Sequence, residues 1–256
     1  MILSVKDLSF AYKSHKTLKD VNFSIKEGET TVILGPNGVG KTTLLKCLNS
    51  ILSPEKGNIL VKGKDINTLN IRQIAKEIAY VAQKNDPARI TAFDAILMGR
   101  LPHIRYRASK ADLKIVDGVI KSLNLSHMGL TYLDQMSGGE LQKVAIARAL
   151  VQQTDLLLLD EPTASLDLKN QAHILGLIRK IVKGHHIAAV LTMHDLNAAL
   201  RYADNYIFLK DKTIFSAGNV HEISPEMVEA VYGIRVDIML HKGLPVVIPM
   251  EEEKAA

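Results

Sequence analysis

Gly35-Pro36-Asn37-Gly38-Val39-Gly40-Lys41-Thr42 decides the fold. It fits G-x-x-x-x-G-K-[ST], a loop whose successive backbone N–H groups cradle phosphate. The apolar run 31–34 before it reads as a strand. The run 42–49 after it, with Leu44, Leu45 and Leu48 on one face, reads as a helix. A chance glycine-rich turn lacks that strand–loop–helix order. Its glycines let the backbone turn tightly around an anion, and the helix N-terminus adds a partial positive charge. Lys41 is placed to neutralise β- and γ-phosphates, and the Thr42 hydroxyl to meet a magnesium ion.

The totals suit a nucleotide user. The chain has 256 residues, 47% of them hydrophobic, enough for one large domain, or one domain with an inserted lobe, and a sizeable core. Its one cysteine, Cys47, excludes an internal disulfide framework and sits on the predicted helix as packing. No apolar run reaches the roughly 20 residues that span a bilayer, and residues 1–7 reach charge too soon for a secretory signal. The expectation is a soluble, intracellular chain. Net charge is +5, with the densest basic stretch at 100–110, where Arg100, His103, Arg105, Arg107 and Lys110 fall. That stretch suits nucleic acid, a membrane surface or a partner protein, or is simply a solvated face.

Outward from the loop, 1–30 alternates apolar and polar residues as antiparallel strands do. Residues 59–61 and 78–82 read as strands and 71–78 as a short helix. Between 85 and about 154 the pattern is helical: Phe93, Ile96 and Leu97 share a face, Ser109 and Asp112 form a capping pair, and 141–151 is a third helix. The α/β pattern then returns. Strands are expected at 156–159 and 187–191, helices at 168–182 and 195–202, a hairpin at 206–215, and a last helix capped by Ser224 with Pro225 at its first position. The tail, 234–250, has β-like pieces and ends in the acidic Glu251-Glu252-Glu253.

Two further motifs carry chemistry. Leu156-Leu157-Leu158-Leu159-Asp160-Glu161-Pro162 puts adjacent carboxylates at the end of a buried strand, where ligands of parallel sheets gather. Asp160 is placed to hold the magnesium that Thr42 also meets, and Glu161 to polarise an attacking water. Met136-Ser137-Gly138-Gly139-Glu140 opens the helix at 141. Ser137 and Glu140 are spaced as a capping box, but a cap does not account for two glycines in a first turn, each costing about 1 kcal/mol against alanine. Bare N–H groups there make a second anion-facing helix end.

In this order the motifs resemble the ATP-binding cassette (ABC) ATPases over nearly the whole chain. The resemblance implies one α/β domain over 1–256. Its P-loop NTPase core, with a mostly parallel sheet and an N-terminal antiparallel β subdomain, covers about 1–84 and 155–233. An inserted helical subdomain takes about 85–154 and a β-like tail 234–256. By resemblance Gly35, Pro36, Asn37, Gly38, Val39, Gly40, Lys41, Thr42 and Thr43 bind ATP, and Tyr12 stacks on adenine. Gln83 contacts magnesium and the attacking water, with Thr42 and Asp160 as further magnesium ligands. Glu161 and His194 serve hydrolysis, His194 as the switch that meets the γ-phosphate. Ser165-Leu166-Asp167 matches the D-loop. Ser137, Gly138, Gly139 and Glu140 match the signature that completes the ATP site of a second copy. That motif commonly begins with leucine and ends with glutamine, where this chain has Met136 and Glu140.

Ala95-Ile96-Leu97-Met98-Gly99-Arg100-Leu101-Pro102-His103 looks like a run found in importers of iron–siderophore complexes, haem and vitamin B12, and Gly99-Arg100-x-Pro102-His103 is its telling part. Taken alone, glycine followed by proline is a helix stop. This resemblance implies an ATPase at the cytoplasmic face of the cell membrane, in a head-to-tail dimer with two Mg-ATP. It would dock through its helical lobe on polytopic permease subunits and serve an external substrate-binding protein indirectly, with no nucleic acid expected. A soluble ABC ATPase acting on DNA or ribosomes, a non-hydrolysing regulator and an exporter subunit remain alternatives.

Overall fold

The computed structural model describes residues 1–13, 15–83, 88–164 and 166–250. β1 (Leu3–Tyr12) and β2 (His15–Ile25) pair antiparallel, Leu3 opposite Ile25. β3 (Thr30–Leu34) runs into the phosphate loop, and α1 (Lys41–Leu48) leaves it. β4 (Lys56–Val61) returns beside β1, and β5 (Lys64–Asp65) completes a four-stranded antiparallel sheet in the order β2-β1-β4-β5. α2 (Ile71–Glu77) feeds directly into β6 (Ile78–Val81). Three helices follow, α3 (Ala92–Leu97), α4 (Lys110–Ser122) and α5 (Gly138–Leu150), before β7 (Leu156–Asp160). The chain continues through α6 (Leu168–His185), β8 (Ala188–Thr192), α7 (Leu196–Tyr202), β9 (Asn205–Lys210), β10 (Thr213–Asn219) and α8 (Pro225–Tyr232). It closes with a hairpin of β11 (Val236–His241) and β12 (Leu244–Pro249).

The six-stranded sheet has the order β10-β9-β3-β8-β7-β6. Its pairs are parallel except at the β10 edge, which is antiparallel. β3, β7 and β8 are buried along their whole length, as a sheet covered on both faces requires. Alternate residues feed two cores. Val32, Leu34, Val81, Leu157, Leu159, Leu191 and Phe208 join the larger one with the helices that follow β6. Ile33, Ile78, Leu156, Leu158, Val190 and Leu209 join α1 and the antiparallel sheet in the other. Parallel strands bring their C-terminal ends together, so the residues just after β3, β6, β7 and β8 converge at one rim.

The helical segment is bolted together at Arg100. Gly99 closes on α5: a Cβ there would overlap the Arg148 carbonyl oxygen, so this glycine serves a close helix crossing, and the chain stays helical through it in a 3-10 turn over Met98–Arg100 rather than stopping there. Arg100 is buried. Its Nε meets Asp112 Oδ1 of α4 at 2.9 Å, and its Nη1 donates to Val151 O at 2.7 Å and to Gln153 Oε1 at 3.0 Å. Its charge thus rests on one carbonyl at the C-terminal end of α5, the end a cation stabilises. His103 Nε2 lies 2.9 Å from Gln152 O. Arg100 therefore leaves the exposed basic stretch, which keeps Arg105, Tyr106 and Arg107 at the surface. From the core, Arg72 of α2 donates to Pro102 O at 3.0 Å and Ile104 O at 2.6 Å.

Candidate functional site

The rim holds a cavity of about 370 Å³ lined by Asn37, Gly38, Gly40, Lys41, Thr42, Thr43, Gln83, Glu161 and His194. Gly35, Gly38 and Gly40 have φ of 145°, 77° and 112°, which suit glycine, and they let the loop wrap around the start of α1. Lys41 is buried and folds back, Nζ donating to Gly35 O at 2.7 Å and Pro36 O at 3.1 Å. Burial pulls its pKa down, and the carboxylates of Glu161 and Asp160 pull it up.

Asp160 closes β7. Its Oδ1 accepts from the Thr42 hydroxyl at 3.0 Å and the Thr192 hydroxyl at 2.6 Å. Its Oδ2 is buried and makes no hydrogen bond. The Tyr80 phenol lies beside the carboxylate, and burial followed by that charge raises the phenol's pKa. A buried carboxylate beside a phosphate loop and a threonine hydroxyl is a donor set that fits magnesium, which takes one or two carboxylates and completes its shell with phosphate and water. Among the described residues no cluster of three or more His, Cys, Asp or Glu competes for a metal.

Glu161 stands one residue on with φ of 47°, unusual for a residue bearing a side chain. Its N–H donates to Thr192 Oγ1 at 2.9 Å, which secures that turn. Gln83 Nε2 donates to its Oε2 at 2.5 Å, and His194 Nε2 meets its Oε1. The carboxylate is thus gripped from β6 and β8 at the cavity mouth. Gln83 lies on Glu161 here rather than on Thr42 or Asp160.

The remaining candidates lie elsewhere. Tyr12 ends β1, partly exposed and edge-on to Phe10 at 4.8 Å; it does not line the cavity. Ser137 is the N-cap of α5, which begins at Gly138, three residues before the expected start, so both glycines are helical. The box explains the shift: Glu140 N donates to Ser137 Oγ at 3.4 Å, while Ser137 N and Oγ donate to Glu140 Oε2 at 2.8 Å each. Those bonds hold the Glu140 pKa low, the Ser137 N–H contributing most. None of the cavity's lining comes from α5. Asp167 caps α6 through Asn170 N at 2.7 Å, and Ser165 lies outside the described residues.

Thr192, which ties Asp160 to Glu161, was not anticipated. Its only sequence signal is a polar residue closing an apolar strand, and its role depends on the pairing of Asp160 with Thr192 across β7 and β8.

Comparison with known proteins agrees with this architecture. The ABC transporter family model matches residues 18–164. An uncharacterized ABC transporter ATP-binding protein of Methanocaldococcus jannaschii is 50% identical over 98% of both chains. The petrobactin import ATP-binding protein of Bacillus anthracis is 33% identical over 99% of this chain and 94% of its own. A cobalamin import ATP-binding protein of Halobacterium salinarum is 34% identical over 93% of this chain and 60% of its own. Among solved structures, an ABC transporter described as metal-chelate type, in an inward-facing conformation, superposes with a TM-score of 0.83 at 28% identity over 98% of both chains. A dimeric cassette in a post-hydrolysis state with ADP and phosphate gives 0.79 at 29% identity, over 87% of this chain and 100% of its own. A family model that spans more than half the chain, and a half-identical relative shared nearly end to end, show that the chain belongs to the ABC transporter ATP-binding family, whose members are ATPases coupled to transport.

Proposed function

We propose that this chain energises a membrane importer of metal chelates, of the iron–siderophore, haem or cobalamin kind, and works as a head-to-tail dimer around two Mg-ATP. The observation that carries the hydrolytic part is the Glu161 carboxylate, gripped by Gln83 and His194 at the mouth of the phosphate-loop cavity. The dimer is supported by Ser137, Gly138 and Gly139 opening a helix that contributes nothing to the chain's own cavity, and by the dimeric cassette it resembles. Import is supported by the names of the petrobactin and cobalamin relatives.

In this reading Lys41 leaves the Gly35 and Pro36 carbonyls to meet the β- and γ-phosphates. Thr42 and Asp160 would hold magnesium, which would supply charge neutralisation to the phosphates. Glu161 accepts a proton from water and aims its oxygen in line with the γ-phosphorus. His194 keeps Glu161 placed and meets the γ-phosphate. The partner's helix N-terminus closes over the same phosphate. Loss of the γ-phosphate removes that bridge and the dimer opens. The helical lobe docks on a polytopic permease at the cytoplasmic face of the membrane, and Arg105 and Arg107 lie where anionic lipid headgroups are reached. An external binding protein delivers the chelate to that permease.

The test is Glu161→Gln. The variant should bind Mg-ATP, hydrolyse it about a hundredfold or more slowly, and elute as a dimer with ATP and a monomer without it. Undiminished turnover would remove Glu161 from its role. Affinity purification from native membranes identifies the permease, and uptake assays with ferric siderophores, haem and cobalamin decide the cargo.

A further inference from the structure

The first residue of the phosphate loop is held by the far end of the chain. Gly35 N donates to Tyr232 Oη at 3.0 Å, across 197 residues of sequence. Gly35 O accepts from Lys41 at 2.7 Å, so both backbone polar groups of this glycine are engaged. No side chain fits at this position, because a Cβ there would overlap Leu209 O of β9. Its φ of 145° is one that side chains rarely adopt. Tyr232 is the last residue of α8, ahead of Gly233 in the left-handed region. Its ring stands edge-on to Phe208 at 6.2 Å, and Phe208 is fully buried beside Leu209 on β9. A helix C-terminus and a sheet strand thus aim one phenol oxygen at one amide.

We propose that Tyr232 is a positioning residue for the nucleotide: its hydroxyl fixes the Gly35 amide and so pre-sets the start of the phosphate loop. It does not line the cavity and touches no reacting atom. Its effect is on how much ordering the loop must undergo when phosphate arrives, because a loop already fixed at its first residue loses less freedom on binding. Burial pushes the phenol up to about 12, so the oxygen stays a neutral acceptor throughout the working pH range.

A role confined to loop placement separates affinity from turnover. Tyr232→Phe keeps the ring on Phe208 and removes one oxygen. The variant should keep the far-ultraviolet spectrum of the parent, bind mant-ADP about three- to tenfold more weakly, and raise KM for ATP by the same factor with kcat within twofold. In protein labelled with ¹⁵N-glycine, the Gly35 amide should exchange with solvent at least tenfold faster in the variant. In the unsubstituted chain without nucleotide, that amide should be far slower than the Gly38 amide, a measurement that needs no variant to fold. Tyr232→His, which retains an acceptor, should recover part of the affinity. Equal mant-ADP binding by Tyr232→Phe, a fall in kcat alone, or Gly35 exchanging as fast as Gly38 would each overturn the proposal.

Discussion

Single side chains decide how this molecule holds its charges. Asp112 receives the Ser109 hydroxyl and N–H and the Arg100 guanidinium, which together hold its carboxyl down to about 2. Removing one partner of a buried pair leaves the other charge uncompensated. Asp112→Asn should therefore cost about 3 kcal/mol in urea unfolding at neutral pH. The sign with pH follows from the depression: Asp112 stabilises the fold fully above about 4, its unfolded range, and loses that contribution as pH falls toward 2. The gap between parent and variant should narrow over that window and stay constant above it. At this scale the sequence is legible where chemistry is local. The phosphate loop and the Asp160-Glu161 pair are contiguous, and the Ser109 to Asp112 cap spans three residues. Thr192 meets Glu161 across 31 residues and Tyr232 meets Gly35 across 197, so both depend on strand pairing and helix docking that no local pattern carries.

Elements were legible by period and cap, with differences at their ends. Strands β3, β7 and β8 are apolar runs and were expected close to their observed bounds. α5 starts earlier than its apolar pattern because the Ser137 cap, not the first apolar residue, sets a helix start. α6 runs three residues past its apolar stripe, to His185, and stops where His186 turns left-handed at φ 53°. The cap of α5 holds the helix start, and the proposed dimer would give it a second duty that a substitution separates. Ser137→Ala should lower stability by about 1 kcal/mol, the usual worth of an N-cap. If the signature completes a second copy's site, it should also weaken the ATP-driven dimer of Glu161→Gln, read by analytical ultracentrifugation. Binding of mant-ADP to the monomer should stay as it was, since the cavity borrows nothing from α5.

At the scale of the whole molecule, the last hairpin is fastened to the helix that follows His194. Asn197 of α7 donates to Val247 O at 3.0 Å and accepts from Val247 N at 2.8 Å, so a side-chain amide acts as an extra rung of β12. A two-stranded sheet has little stability of its own. Asn197→Ala should cost about 2 kcal/mol for the two bonds and make 236–249 sensitive to brief proteolysis while the α/β core resists. No helix among the described residues is long and apolar enough to cross a membrane. The buried Arg100 bears on how any survey of the 100–110 surface is interpreted. If Arg107 lies on the proposed permease contact, a charge-reversal scan across 100–110 would score Arg100 and Arg107 alike as losses of transport. The first would have dissolved the joint of three helices, and the second would have altered only an outward face. Thermal melts run beside the scan separate the two, and only positions that melt like the parent map the contact.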